Sequence, residues 1–190
     1  SSVAQCAARI GTEPVDILIN NAGTNQSVPA LTADGYDHRI GVNYLAAFAL
    51  TARLWPALEA AGAARVVMLG SLMARVGRIG PDFARKVASS SYADSKLAAL
   101  IFAGELDRRA VRAGTSVRAV AAHPGWADTA IFQAAGYPTV INKVAGRLRL
   151  AHSAADGAQS VLMAATAHSP APYIGPSLRW GLVGPAGPAR

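Results

Sequence analysis

The sequence predicts an α/β fold in which a doubly wound parallel sheet carries helices on both faces. Short apolar runs alternate along the chain with longer segments of helical periodicity, the order that parallel sheets require. The runs are apolar at consecutive positions, as strands covered on both faces are. Each run also ends in polar or glycine-containing residues, where a ligand-binding sheet edge needs them.

Taken in order, residues 1–10 read as a helix and Val15-Asp16-Ile17-Leu18-Ile19 as a buried strand ending at Asn20-Asn21-Ala22-Gly23. Residues 33–60 read as one long helix that includes Asn43. A strand over 64–70 ends at Ser71, a helix follows over 90–113, and a strand over 116–122 ends at Pro124-Gly125. The 90–113 helix is well signalled: Ser89-Ser90-Ser91 can cap it, Asp94 suits its first turn and Gly114 can end it. Its Leu97, Leu100, Ile101 and Leu106 form an apolar face for the sheet. An irregular stretch precedes a last helix at 153–167. Right-handed crossovers bring the C-terminal ends of the three strands to one edge, so Gly23, Ser71 and Pro124-Gly125 gather there.

Composition bounds the function. With 190 residues and 52% hydrophobic content the chain can bury one core, and residues 1–190 are expected to form a single domain, with 171–190 as a tail. The single cysteine, Cys6, allows no internal disulfide and no zinc cluster, which fits a reducing cytoplasm. His38, His123, His152 and His168 lack metal-ligand spacing, so no metal is expected, and His123 is read as structural. No apolar run of about 18 residues marks a membrane segment. The formal charge of +7 raises a nucleic-acid reading, but the arginines sit in loops and on a helix's polar face without interleaved aromatics. A solvated face explains them, and no nucleic-acid partner is expected.

The chemistry lies in Tyr92-Ala93-Asp94-Ser95-Lys96. A tyrosine and a lysine four apart share a helix face. An ammonium beside a phenol favours the phenolate, so a group with an ordinary pKa of about 10 can exchange a proton with an alcohol or a ketone.

Asn20-Asn21-Ala22-Gly23, Asn43, Ser71, Tyr92 with Lys96, and Pro124-Gly125-Trp126-Ala127-Asp128-Thr129 stand in an order that resembles the short-chain dehydrogenase/reductase family. The resemblance runs from the first helix to about Thr166. It implies a Rossmann-like fold, NAD or NADP as cofactor, and a hydride transferred to or from an alcohol or carbonyl group. By resemblance, Tyr92 is the acid/base, Lys96 holds its pKa down and bonds the cofactor ribose, and Ser71 donates to the substrate oxygen. Asn43 then organises a proton relay to Lys96, and Asn20, Ala22 and Gly23 follow the adenosine side. Pro124 and Gly125 turn beneath the nicotinamide, where Thr129 bonds its carboxamide or a phosphate. The choice between NAD and NADP cannot be read.

Departures from the family pattern are informative. Gly70 stands where a second serine is usual and Met68 where asparagine is frequent, both read as adjustments of packing. The Ser71–Tyr92 spacing is unusually long, and the inserted Ala74–Lys86 segment, with Ser95-Lys96-Leu97-Ala98 and Ala121-Ala122-His123-Pro124-Gly125, resembles the retinol-dehydrogenase-like branch. The family's strand and glycine-rich turn of the Thr-Gly-x-x-x-Gly-x-Gly type do not occur, so the sequence is expected to be an N-terminally truncated member lacking the first strands.

Residues 126–150 are expected to shape the substrate pocket, with Trp126, Ile131, Phe132, Tyr137, Val140, Ile141 and Val144 lining it for an apolar small molecule. Two other readings stay open. An epimerase or dehydratase of the extended branch uses the same helix motif, but this chain ends too early for its usual sugar-nucleotide domain. A fragment serving only as an oligomerising module is the other, since the 33–60 and 90–113 helices resemble those the family packs between subunits in homo-oligomers.

Overall fold

A computed structural model of the chain describes residues 2–26, 30–85, 91–127 and 150–189, together with positions 131, 145, 147 and 148. Helix α1 spans Ser2–Ile10, strand β1 Ile17–Asn20 and strand β2 Arg65–Leu69. Helix α5 spans Ser91–Arg112, strand β3 Arg118–Ala122 and helix α6 Ala154–Thr166. Strands β4 (Tyr173–Leu178) and β5 (Val183–Pro188) complete a five-stranded sheet of order β1-β2-β3-β4-β5 among the described residues. β1 to β4 run parallel, and β5 returns antiparallel to β4.

The expected long helix over 33–60 is instead a broken series. Helix α2 covers only His38–Ile40 and starts at Asp37, whose buried carboxylate accepts from the Arg39 and Ile40 amides at 2.9 and 3.1 Å. A π-helical turn, Gly41–Leu45, carries Asn43 and leads into α3 at Ala46–Arg53. Leu54 leaves helical geometry at φ −90°, ψ 4°, and α4 resumes at Trp55–Ala60 with Pro56 in its first turn. Proline has no amide hydrogen to continue the ladder and crowds the preceding turn, so the break falls there.

Alternation along β2 divides the core between the two faces. Val66 packs with Leu54, Leu58 and Val117, and Met68 with Ala99, Ala103 and Ala121, beneath α4 and α5. Val67 points the other way, onto Val120, Ile174 and Ala164 of α6. Ile17 and Ile19 of β1 lie 45% and 38% exposed, so the β1 edge is the thinly covered side of the sheet.

The 171–190 segment is not a tail. Tyr173–Leu178 and Val183–Pro188 pair as an antiparallel hairpin, and β4 also joins β3 through Ala121↔Tyr173 and Ala122↔Ile174. Its prolines and glycines hid the strands from periodicity, but Ile174, Gly175 and Pro176 are buried and the hairpin supplies part of the core.

Candidate functional site

The C-terminal ends of β1, β2 and β3 open onto a cleft of about 590 Å³. Gly23, Ser71, Tyr92, Lys96, Pro124 and Gly125 all line it. Sequence order alone predicted that gathering, because parallel strands deliver the residues that follow them to one edge.

Ser71 leaves β2 with extended backbone and caps a 3₁₀ turn, Leu72–Val76, its Oγ accepting from the Met73 amide at 3.2 Å. The same side chain hydrogen-bonds the Tyr92 phenol. Burial pushes the Tyr92 pKa above its ordinary value, and the Ser71 bond pulls against that rise. The expected lowering by Lys96 does not set the direction: its Nζ lies 5.9 Å from the Tyr92 ring centre and donates instead to the Leu69 carbonyl at 2.9 Å. Lys96 is almost wholly buried, and desolvation lowers its pKa to about 8.

Asn43 is 3% exposed and fully engaged. Its Oδ1 accepts from the Thr24 amide at 2.7 Å, and its Nδ2 donates to the Thr24 carbonyl and to Ser95 Oγ, both at 2.9 Å. Ser95 Oγ donates in turn to the Tyr92 carbonyl at 2.7 Å. The π-helical turn thus ties the segment after β1 to the first turns of α5. Gly23 lies in the same knot, where an added Cβ would stand 3.3 Å from Asn43 Oδ1 and 3.4 Å from Lys96 Nζ.

Not every expected residue reaches the cleft. Asn20 turns its Nδ2 to Thr51 Oγ1 at 3.1 Å and Met68 Sδ at 3.2 Å, bracing β1 against α3 and β2. Asn20 and Ala22 border a separate hollow against α1 and α3. Asn21, next in the chain, lines the cleft instead. Thr129 lies outside the described residues, as do Ser89, Ser90, Phe132, Tyr137, Val140, Ile141 and Val144. Trp126 and Ile131 are described, and Ile131 lines the cleft.

Other contributors escaped sequence reasoning. Ala154, Gly157, Ala158 and Val161 of α6 form one cleft wall, and their i, i+3, i+4, i+7 spacing was the available signal. Two histidines fix the Pro124-Gly125 turn. His152 Nε2 stands 2.6 Å from the Pro124 carbonyl, and fully buried His123 accepts the Gly125 amide on Nδ1 at 3.2 Å. Burial and nearby Arg75 lower the His123 pKa to about 4, so the ring is neutral and holds that acceptor.

The departures from family pattern have local causes. A Cβ at Gly70 would stand 2.6 Å from Leu100 Cδ2, so α5 packs where a serine would collide. The inserted segment crosses the start of α5 at Gly77, against the Ala93 carbonyl, and Asp94 Oδ1 accepts the Arg78 amide at 2.8 Å.

Residues 1–137 match the family model for short chain dehydrogenase. The chain is 40% identical to mouse polyprenol dehydrogenase over 132 residues, which is 65% of this chain and 39% of that protein. It is 40% identical to human retinol dehydrogenase 13 over 135 residues, 67% of this chain and 40% of that protein. Among solved structures, an uncharacterised protein from Mycobacterium paratuberculosis superposes on 100% of this chain and 63% of its own, with TM-score 0.74 and 37% identity. The chain thus spans about 40% of the length of these two curated relatives.

Proposed function

This chain belongs to the short-chain dehydrogenase/reductase family, on its retinol-dehydrogenase-like branch, and from that premise we propose that its cleft serves hydride transfer between NAD(P)(H) and an alcohol or carbonyl group of an apolar small molecule. The carrying observation is the Ser71–Tyr92 hydrogen bond in a cleft that also holds buried Lys96. Similarity to proteins named for polyprenol and retinol supports an apolar substrate, and the α6 wall of alanine, glycine and valine suits one.

The residues present fit the nicotinamide half of the cofactor. Lys96 spends one N–H on Leu69, leaving two to donate to ribose hydroxyls, and the bare backbone at Gly23 and Gly125 permits close approach. When bound, the nicotinamide supplies or takes the hydride. Pro124 and Gly125, held by His123 and His152, would form the surface against which it is seated.

Tyr92 acts on the oxygen. Because burial keeps the phenol protonated at neutral pH, it stands ready to give its proton as a carbonyl carbon gains hydride, yielding the alcohol. Ser71 donates to the same oxygen and steadies the charge that develops there. Lys96 and the Asn43–Thr24 knot, which reaches the Tyr92 backbone through Ser95, position the phenol, and solvent restores its proton. In oxidation Tyr92 as phenolate takes the alcohol proton.

A second copy is our reading for the outer faces of α3, α4 and α5. Phe48 and Ile101 stand 45% and 54% exposed around a hollow of about 660 Å³, which supports homo-oligomer formation.

The test is reduction of an apolar aldehyde with NADPH or NADH by the parent chain and by Tyr92→Phe. Loss of about 10²-fold or more in kcat, with an unchanged circular-dichroism spectrum, supports the role of Tyr92. Equal turnover by the variant removes it.

A further inference from the structure

The chain leaves the Pro124-Gly125 turn at Trp126 and Ala127 and is back beside it at His152. There the two ends are joined: Ala127 and His152 pair as a parallel bridge, and the His152 amide donates to the Trp126 carbonyl at 3.0 Å. The half-buried ring reaches further, its Nε2 standing 2.6 Å from the Pro124 carbonyl. A carbonyl oxygen only accepts, so Nε2 carries the hydrogen and the ring donates. His152 thereby grips the turn through both its backbone and its side chain.

The next residue opens α6. Ser153 Oγ accepts the Asp156 amide at 3.1 Å, and the Asp156 carboxylate accepts the Ser153 amide at 3.3 Å, a reciprocal cap that fixes where the helix starts. One turn on, a Cβ added at Gly157 would stand 3.1 Å from Pro124 Cβ and 2.9 Å from Ala127 Cβ, so α6 rests directly on the turn. The far side of the turn is held by the β4–β5 hairpin, where the Trp126 amide donates to the Leu182 carbonyl at 2.8 Å and Gly125 lies against the same oxygen. The turn and α6 are also two walls of the cleft, since Pro124, Gly125, Gly157 and Val161 all line it. The His152–Pro124 bond is a polar tie between these two walls.

We propose that His152 is a positioning residue: its ring clasps the Pro124-Gly125 turn to the α6 wall, so that a nicotinamide nucleotide on the turn and an apolar molecule against α6 bind cooperatively. A ligand that touches one wall orders it at a cost in conformational entropy. With the walls clasped, the first ligand orders both and the second loses less entropy, and the effect is reciprocal. The clasp follows from geometry alone; the identity of the two ligands rests on the hydride-transfer reading.

Nitrogen NMR and amide hydrogen exchange on the full chain test the clasp without any ligand. The His152 ring is expected to carry its hydrogen on Nε2; a neutral ring with the hydrogen on Nδ1 would overturn the proposal before any variant is made. His152→Leu keeps the bulk and loses the donor, while His152→Gln returns an N–H near the place of Nε2. The Gly125 amide is expected to exchange about tenfold or more faster in His152→Leu and near the parent rate in His152→Gln, with the Val67 amide of β2 unchanged in both. Faster exchange confined to Asp156 and Gly157 would mean that His152 only steadies the start of α6, and it would overturn the clasp, as would failure of glutamine to rescue. Fluorescence titration with NADPH and NADH, with and without octanol, tests the cooperativity with ligands that cannot react together. Octanol is expected to tighten nucleotide binding about fivefold or more in the parent and in His152→Gln, and not in His152→Leu. Equal tightening in His152→Leu, or none in the parent, contradicts the cooperativity. A parent that binds neither nucleotide removes the hydride-transfer reading, while the exchange rates still decide the clasp.

Discussion

Asn43 and Thr24 exchange two hydrogen bonds, the Thr24 amide donating to Oδ1 at 2.7 Å and Nδ2 donating to the Thr24 carbonyl at 2.9 Å. One buried side chain thereby replaces the sheet ladder for the residue that follows Gly23. Asn43→Ala would strand both Thr24 groups and remove the bond to Ser95. A loss of about 1–2 kcal/mol is expected from denaturant midpoints, since buried Ser95 loses its donor and the partly buried Thr24 groups lose their partner.

Gly175→Ala places a Cβ on the buried His123 ring, which also packs at a 45° tilt against Tyr173, ring centres 5.1 Å apart. Neither β4 nor the ring has room to yield. Destabilisation of about 2 kcal/mol or more is expected in a thermal or urea melt, together with loosening of the Gly125 turn. Gly80→Ala, with nothing within 4 Å of its Cβ and no positive φ, is the uncrowded comparison.

Stability should vary with pH in a defined direction. Lys96 has a pKa of about 8 when folded against an ordinary 10.5, so the unfolded chain binds more protons between these values. Stability therefore climbs from about pH 8 towards pH 10, and Lys96→Met flattens the climb. Above about pH 10 the trend reverses, because burial raises Tyr92 and holds Tyr173 near about 12, so both ionise first in the unfolded chain. On the acid side, His123, lowered to about 4, costs stability as pH falls from its ordinary 6.5. Urea midpoints across the range check all three signs.

Ser71→Ala removes the one interaction that opposes the burial-driven rise of the Tyr92 pKa. Carbonyl reduction is expected to lose about 10²-fold in kcat, the usual cost of one donor to a developing oxyanion. The alkaline limb of the reduction profile should also move to higher pH. Steady-state rates against pH measure both.

Much of this arrangement was legible in the residues. Continuous apolar runs announced β1, β2 and β3, and the parallel order followed from the helices between them. Tyr92, Lys96, Ser71 and Gly125 could be placed together because each follows a strand or opens a helix at the same sheet edge. The broken helix at Leu54 was hidden because its apolar spacing continues across Pro56, and only the missing proline amide reveals the break. The β4–β5 hairpin was hidden by its own glycines and prolines, which at a sheet border serve close packing against His123. Asn20 and Asn21 part company because successive side chains of an extended chain point to opposite sides: Asn20 turns in to Thr51 and Met68, and Asn21, just past β1, lines the cleft.

The most direct test of the central claim, that this cleft holds the nicotinamide half of NAD(P), is a fluorescence titration of the chain and of Lys96→Met with NADPH and NADH. The account predicts a saturable response to at least one nucleotide, weakened about tenfold or more in Lys96→Met, where the donors to ribose are gone. No saturable response to either nucleotide, or equal affinity in parent and variant, would contradict it.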